Sequence, residues 1–173
     1  MFDTSFSSVR LNASRIQYED WPGLLTAVQS GKFPQELALS HMTTEQAAKD
    51  WHRQKVIDWQ NKQGFVWSVR WKNSSEVIGQ VSLVPRQSDI ALAYWVAPDL
   101  WGQGIVTEIL KSLLIIIYES EYQGDIWAAA HPWNTRSLSV LVKLGFKYQK
   151  ESQYRFENGN VENMKEYLLS ACR

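Results

Sequence analysis

A single cysteine, Cys172, stands near the end of the 173-residue chain. One thiol closes no disulfide within the chain, and no zinc set can be assembled around it; it reads as an incidental tail residue, and the scarcity fits a reducing compartment. Long apolar runs are missing too. The most apolar stretch, residues 113–118, falls far short of the roughly 20 residues that span a bilayer. The opening MFDTSFSSVRLNAS lacks the basic-then-apolar order of a signal peptide. Neither charge is in excess: 18 Lys and Arg face 18 Asp and Glu, which leaves no whole-molecule field to attract nucleic acid or an anionic membrane. The expectation is a soluble, cytoplasmic protein, monomer or homodimer, that partners neither nucleic acid nor membrane. Without repeats, low-complexity tracts or linkers, residues 1–173 read as one domain. What is plentiful is tryptophan: nine residues, enough that some should line a pocket or an interface as well as fill the core.

Along the chain, residues 9–11 open a first strand. Residues 21–30 follow as a short helix, with Asp20 as cap, Pro22 in the first turn and Gly31 as stop. Thr43 and Gln46 have capping-box spacing and introduce a longer helix through Ala47, Trp51, Val56 and Trp59, ending near Gly64. Its narrow apolar stripe places it at the surface. Residues 65–71 and 77–84, joined by the turn cluster 72–75, form a hairpin, and residues 90–96 add another strand. From Gly104 the apolar period becomes helical through Ile105, Ile109, Leu113 and Ile117. Residues 126–130 make a further strand. Asn134 caps a helix over 135–144 that Gly145 stops, and strands at 146–150 and 164–169, with a polar hairpin loop at 157–160, complete the chain. The result is a mixed α/β (α+β) fold with a mostly antiparallel central sheet flanked by helices.

The segment from Tyr94 to Thr107 carries the chemistry. It is a strand, a glycine-containing turn and a helix start. Such a turn leaves the first backbone N–H groups of the helix pointing outward with the positive end of its dipole behind them, a good seat for phosphate. Two glycines spaced by one residue also suit a plain strand-to-helix turn. A Walker loop is excluded because Ile105 and Val106 stand where Lys and Ser/Thr are needed, and a dinucleotide fingerprint because Thr107 replaces its third glycine.

The turn Trp101-Gly102-Gln103-Gly104-Ile105-Val106, entered from Tyr94-Trp95-Val96 and followed by Thr107-Glu108, resembles the acetyl-CoA-binding turn of the GNAT superfamily, in its RimJ/RimL-like branch. Trp101 replaces the usual Gln or Arg, and Val106 the usual small residue. Downstream, Asn134, Ser137, Leu141, Lys143, Gly145 and Phe146 match a second element of the family in the expected order. The matching parts span about residues 77–146.

That resemblance implies an acetyl-CoA-dependent N-acetyltransferase in which a primary amine, such as a protein N-terminal α-amino group or a small amine, attacks the thioester directly in a ternary complex. It implies pantetheine contacts from the backbone of Trp95 and Val96, and pyrophosphate contacts from the backbone N–H groups of Gly102, Gln103, Gly104, Ile105, Val106 and Thr107, in a cofactor-binding turn that Trp101 opens. Lys143 or Arg136 would add positive charge in place of the missing side chain at Trp101; a solvated helix face is the competing role for each. Asn134 would help hold the cofactor. Ser137 would stabilise or protonate the thiolate, against the alternative of a first-turn serine bonding local backbone. The family's frequent glutamate on the strand before the turn falls at Ala91 here. That leaves His131, of the residue type that titrates near neutrality, as the candidate base; a plain turn histidine and a water relay are the competing readings. No metal is implied. A GNAT-fold protein that binds acyl-CoA without turnover is the alternative function, and a protein-interaction module displaying its tryptophans is the third reading.

Overall fold

The computed structural model describes residues 2–155 and 159–170; Cys172 and part of the expected loop at 157–160 lie outside them. Strand β1 (Ser5–Ser7) pairs antiparallel with β2 (Leu11–Arg15). The expected first strand at residues 9–11 is therefore mostly the turn of a hairpin: Ser8 N–H bonds back to Leu11 O, and Val9 stands in solvent. Helix α1 (Trp21–Gln29) buries Leu24, Ala27 and Val28. Asp20 precedes it as expected but makes no side-chain cap; its carboxylate turns into the protein, toward Ser68 and Arg70.

Helix α2 (Glu45–Gln60) is capped by Thr44, whose hydroxyl accepts from Ala47 N–H, so the cap lies one residue beyond the expected Thr43. As expected, the helix lies at the surface on a narrow buried stripe, Ala48, His52 and Trp59; the stripe includes a histidine whose ring nitrogens both find partners inside.

Strands β3 (Phe65–Trp71), β4 (Gly79–Pro85) and β5 (Asp89–Val96) form an antiparallel meander. Helix α3 (Ile105–Glu119) and β6 (Asp125–Ala130) follow, then helix α4 (Thr135–Lys143), and β7 (Lys147–Arg155) with β8 (Val161–Leu169) end the fold. Both final strands are longer than the apolar pattern suggested, since β7 is exposed along most of its length and its polar residues hid it. The eight strands run in the order β1-β2-β3-β4-β5-β6-β8-β7, and β5–β6 is the parallel pair in this mixed α/β sheet.

Alternation divides β5 between two cores. Leu92 and Val96 face α3, whose Ile105, Ile109, Leu113 and Ile117 are at most 2% exposed. Trp95 faces the opposite way, into a second cluster with Leu24 and Val28 of α1 and Phe33. The register then opens a gap. On one side β5 pairs with β4 out to Val96↔Gly79, but on the other its pairing with β6 ends at Ala91↔Trp127. The two strands part for the rest of their lengths.

Candidate active site

A cavity of about 800 Å³ occupies this parting and is lined from both faces of the sheet. On the α3 side lies the glycine turn. Gly102 and Gly104 have φ of +76° and +73°, a left-handed backbone that side-chain-bearing residues adopt at a cost. Gly104 is the N-cap of α3 and offers no side-chain cap. The first helical bond is Glu108 N–H to Gly104 O, so the N–H groups of Ile105, Val106 and Thr107 are left to a ligand. The turn is braced from behind. Glu108 accepts from Ser8 Oγ at 2.6 Å, from Arg10 N–H at 2.8 Å and from Arg10 Nε at 2.6 Å, while Arg10 Nη2 donates to Gln103 O at 3.0 Å. Burial works against ionisation of Glu108, but these hydrogen bonds outweigh it and hold the carboxyl below its ordinary pKa.

Trp101 is fixed rather than free. Its Nε1–H donates to Val96 O at 2.9 Å, and the Arg136 guanidinium lies 5.1 Å from its ring centroid. The indole therefore carries, on a cation–π contact, the positive charge that the turn itself lacks. It also occupies one lone pair of the Val96 carbonyl.

Where α4 begins, Asn134 Oδ1 accepts from Ser137 N–H at 3.2 Å, and this cap orients the first turn. Ser137 Oγ lies 2.6 Å from the hydroxyl of Tyr94, which reaches across from β5. The phenol's pKa is pushed up to about 12 by burial, with the Ser137 bond opposing, so the pair is neutral over the usual assay range. On the other side of the gap His131 directly follows β6. Its Nδ1 lies 3.0 Å from Glu162 Oε2 of β8, and its ring stacks on Trp133 at 5.1 Å.

A buried polar chain backs the α1–α2 side. Trp95 Nε1–H donates to Gln80 Oε1 at 2.9 Å, and Gln80 Nε2 donates to His52 Nε2 at 3.0 Å and to Ser68 Oγ at 3.3 Å. Ser68 donates to Asp20 at 2.6 Å, and Arg70 pairs with the same carboxylate. His52 Nδ1–H donates to Ala48 O at 2.8 Å, which fixes the tautomer; burial lowers the His52 pKa, and the ring is neutral. Among the described residues no group of three or more His, Cys, Asp or Glu is placed to hold a metal, and no helix is long and apolar enough to cross a membrane.

The profile of the acetyltransferase (GNAT) domain matches residues 10–147. The chain belongs to the GNAT acetyltransferase family. A Bacillus subtilis (strain 168) protein, the uncharacterized N-acetyltransferase YoaA, is 22% identical over 92% of this chain and 93% of its own length. Among solved structures, the ribosomal-protein-S5-alanine acetyltransferase of Vibrio fischeri superposes with a TM-score of 0.81 at 23% identity, over 98% of this chain and 97% of that one. RimL, a ribosomal L7/L12 α-N-protein acetyltransferase in complex with coenzyme A, gives 0.82 at 18% identity, over 94% and 95%. At these identities the likeness to the solved structures is one of fold.

In this GNAT domain the residues singled out in the sequence collect around one cavity. Ser137, Asn134 and His131 line it, as do Trp95, Val96, Trp101, Gly102, Gly104, Ile105, Val106, Thr107 and Lys143. Gln103 does not: its side chain turns away to Asp99 O at 3.3 Å. Tyr94 and Glu162, the side chains that contact Ser137 and His131, were not singled out in the sequence. Tyr94 had a signal, since it heads the strand motif, but its contact lies 43 residues downstream. Glu162 follows a polar loop, and nothing local marks it.

Proposed function

We propose that the protein transfers the acetyl group of acetyl-CoA to the α-amino group of a protein or peptide, by direct attack within a ternary complex. The observation that carries this reading is the parting of β5 from β6 beyond Ala91, with Tyr94, Ser137 and His131 lining the cavity it opens and Glu162 paired to His131 behind the lining.

The residues present fit the cofactor. The N–H groups of Ile105, Val106 and Thr107, beside two side-chain-free glycines, suit a pyrophosphate, with Arg136 and Lys143 adding charge. The β6-side edge of β5 beyond Ala91, where strand pairing has ended and Trp101 takes one lone pair of the Val96 carbonyl, suits amides of an extended arm along Trp95 and Val96, as an added strand would. When bound, acetyl-CoA supplies a thioester whose carbonyl carbon the amine attacks, with the thiolate as leaving group.

This chain's own groups then manage two protons. Ser137 Oγ–H donates a hydrogen bond to the departing sulfur and passes it the proton that the attacking nitrogen loses as the amide forms, while the Tyr94 phenol stays protonated and holds Ser137 Oγ in place. His131 takes the proton that the acceptor's ammonium must lose before attack, while Glu162 holds Nδ1–H and stabilises the imidazolium that forms. Ala91 offers no carboxylate for this role, which is the feature that favours the second reading, acyl-CoA binding without turnover.

The deciding experiment is thiol release from acetyl-CoA in the presence of a panel of peptides and small amines, with mass spectrometry of the products. N-acetylated α-amines are expected. Acetyl-CoA binding with no acetylated amine would establish the second reading.

A further inference from the structure

The α1–α2 side of the cavity is unlike the glycine-turn side. Its wall is made by Phe33, Leu37 and Leu39 from the segment joining α1 to α2, Trp51 from α2 and Trp95 from β5. Phe33 and Trp95 meet edge to face at 6.5 Å, and Trp51 meets His52 in the same manner at 4.9 Å. Among the described residues lining the cavity, none is Asp or Glu. The polar side chains on this side are already engaged. Gln80 uses its carbonyl for Trp95 and its amide nitrogen for His52 and Ser68, and Ser82 Oγ leans on Ala93 O at 3.4 Å.

The Gln80–Ser68–Asp20 chain also pins Trp95 from behind, so this wall is set before any acceptor arrives. A preset apolar wall favours an apolar group that fits it, through the water released, and penalises an ammonium brought there without a partner. The reacting amine itself is served at the gap, by His131 and Glu162. A second or third ammonium on the same acceptor would meet rings, aliphatic side chains and polar groups already engaged, with no carboxylate among the described lining residues.

We propose that this side is an acceptor subsite for a monoamine whose amino carbon bears a large apolar group, as in a peptide beginning with Phe, Leu or Met or in an aromatic monoamine, and that it rejects polyamines. The proposal rests on the amine-acetylation reading above. It also sets the acceptor apart from alanine, the residue in the name of the Vibrio fischeri structure.

The test uses peptides that differ only in their first residue (Phe, Leu, Met, Ala, Ser, Asp, Lys), together with phenethylamine and spermidine, each assayed with acetyl-CoA. The expected order places Phe, Leu and Met roughly 10- to 100-fold above Ser in kcat/KM, the scale of burying one large side chain, with spermidine lowest. Comparing the peptides with phenethylamine tells a peptide source from a small-molecule one. Leu37→Asp should raise the spermidine-to-phenethylamine ratio at least tenfold while the acetyl-CoA-induced rise in Tm stays unchanged. Leu37 caps the short 3-10 turn Ala38–His41, a position where Asp is well tolerated. A preference for Ser-first peptides or for spermidine overturns the subsite. If no amine is acetylated although acetyl-CoA raises Tm, the transfer reading fails instead. The subsite is then judged by calorimetry on the CoA-saturated protein, where Phe-first peptides must bind at least tenfold tighter than Ser-first ones or it too is wrong.

Discussion

Tyr94→Phe removes a single oxygen, the one 2.6 Å from Ser137 Oγ, and leaves the ring packed. Because burial pushes this phenol's pKa up to about 12, it is protonated at any assay pH up to about 10, and the bond lost is one between neutral groups. Such a bond is worth about 0.5–1.5 kcal/mol, which converts to roughly a 2- to 13-fold fall in kcat. Ser137→Ala removes the proposed donor to the leaving sulfur and should lower kcat by about 10- to 1000-fold. If the phenol works only through Ser137, the two losses do not add: Tyr94→Phe placed on Ser137→Ala should change kcat by less than about twofold. The assay is thiol release at saturating acetyl-CoA and varied acceptor, with kcat and KM resolved for all four proteins and the acetyl-CoA-induced rise in Tm recorded for each. Fully multiplicative losses would refute action through Ser137. So would a Tyr94→Phe effect confined to the KM for acetyl-CoA, since that marks a cofactor contact rather than a proton path.

Three further outcomes are expected. Gly104→Glu should abolish the rise in Tm that acetyl-CoA produces, because it adds a side chain and a negative charge at a residue with φ of +73°; a normal shift would displace the pyrophosphate from this turn. His131→Gln should remove an acidic limb from the kcat/KM profile, leaving a rate that follows the amine's own titration; the same profile in both proteins would assign deprotonation to a water chain or another group. Glu108→Gln should lower Tm at pH 7 by roughly 2–8 °C, from about 1–2 kcal/mol of charged hydrogen bonding reduced by the partial exposure of Arg10. The Glu108 pKa is lowered in the fold, so its contribution is complete above the unfolded carboxylate's pKa and is lost as pH falls through the folded one. The two proteins should therefore converge toward acid, and a pH-independent gap would assign the effect to packing.

The parts legible in the sequence are those set by neighbours along the chain. The turn at Gly102 and Gly104, the Asn134 cap and the α3 period need only local backbone rules, and they located most of the cavity. Partners from distant strands were hidden. Tyr94 meets Ser137 because β5 and α4 converge, and His131 meets Glu162 because β8 lies beside β6. The buried face of α2 was hidden by chemistry, since His52 counts as polar until Gln80 is found opposite it. Strand β1 escaped notice because Ser5, Phe6 and Ser7 make too short a run to show a period. Gln103 was grouped with the phosphate loop through its backbone N–H; its side chain turns outward and Arg10 holds its carbonyl, contacts that no local pattern marks.

The alternation of β5 has a consequence for how this protein can change. Its main chain faces the gap edge-on, Tyr94 points to the α4 side, and Trp95 points to the α1–α2 side. On the proposed function and subsite, cofactor grip, proton delivery and acceptor choice fall to three non-overlapping sets of atoms on one strand. Substitutions at Trp95 or at Leu37 can retune which amine is accepted while the hydrogen-bonding edge and the Tyr94 hydroxyl keep their positions. Directed evolution toward new acceptors can therefore be confined to one face of the sheet, with libraries at the Trp95 wall screened against a background whose cofactor affinity is constant.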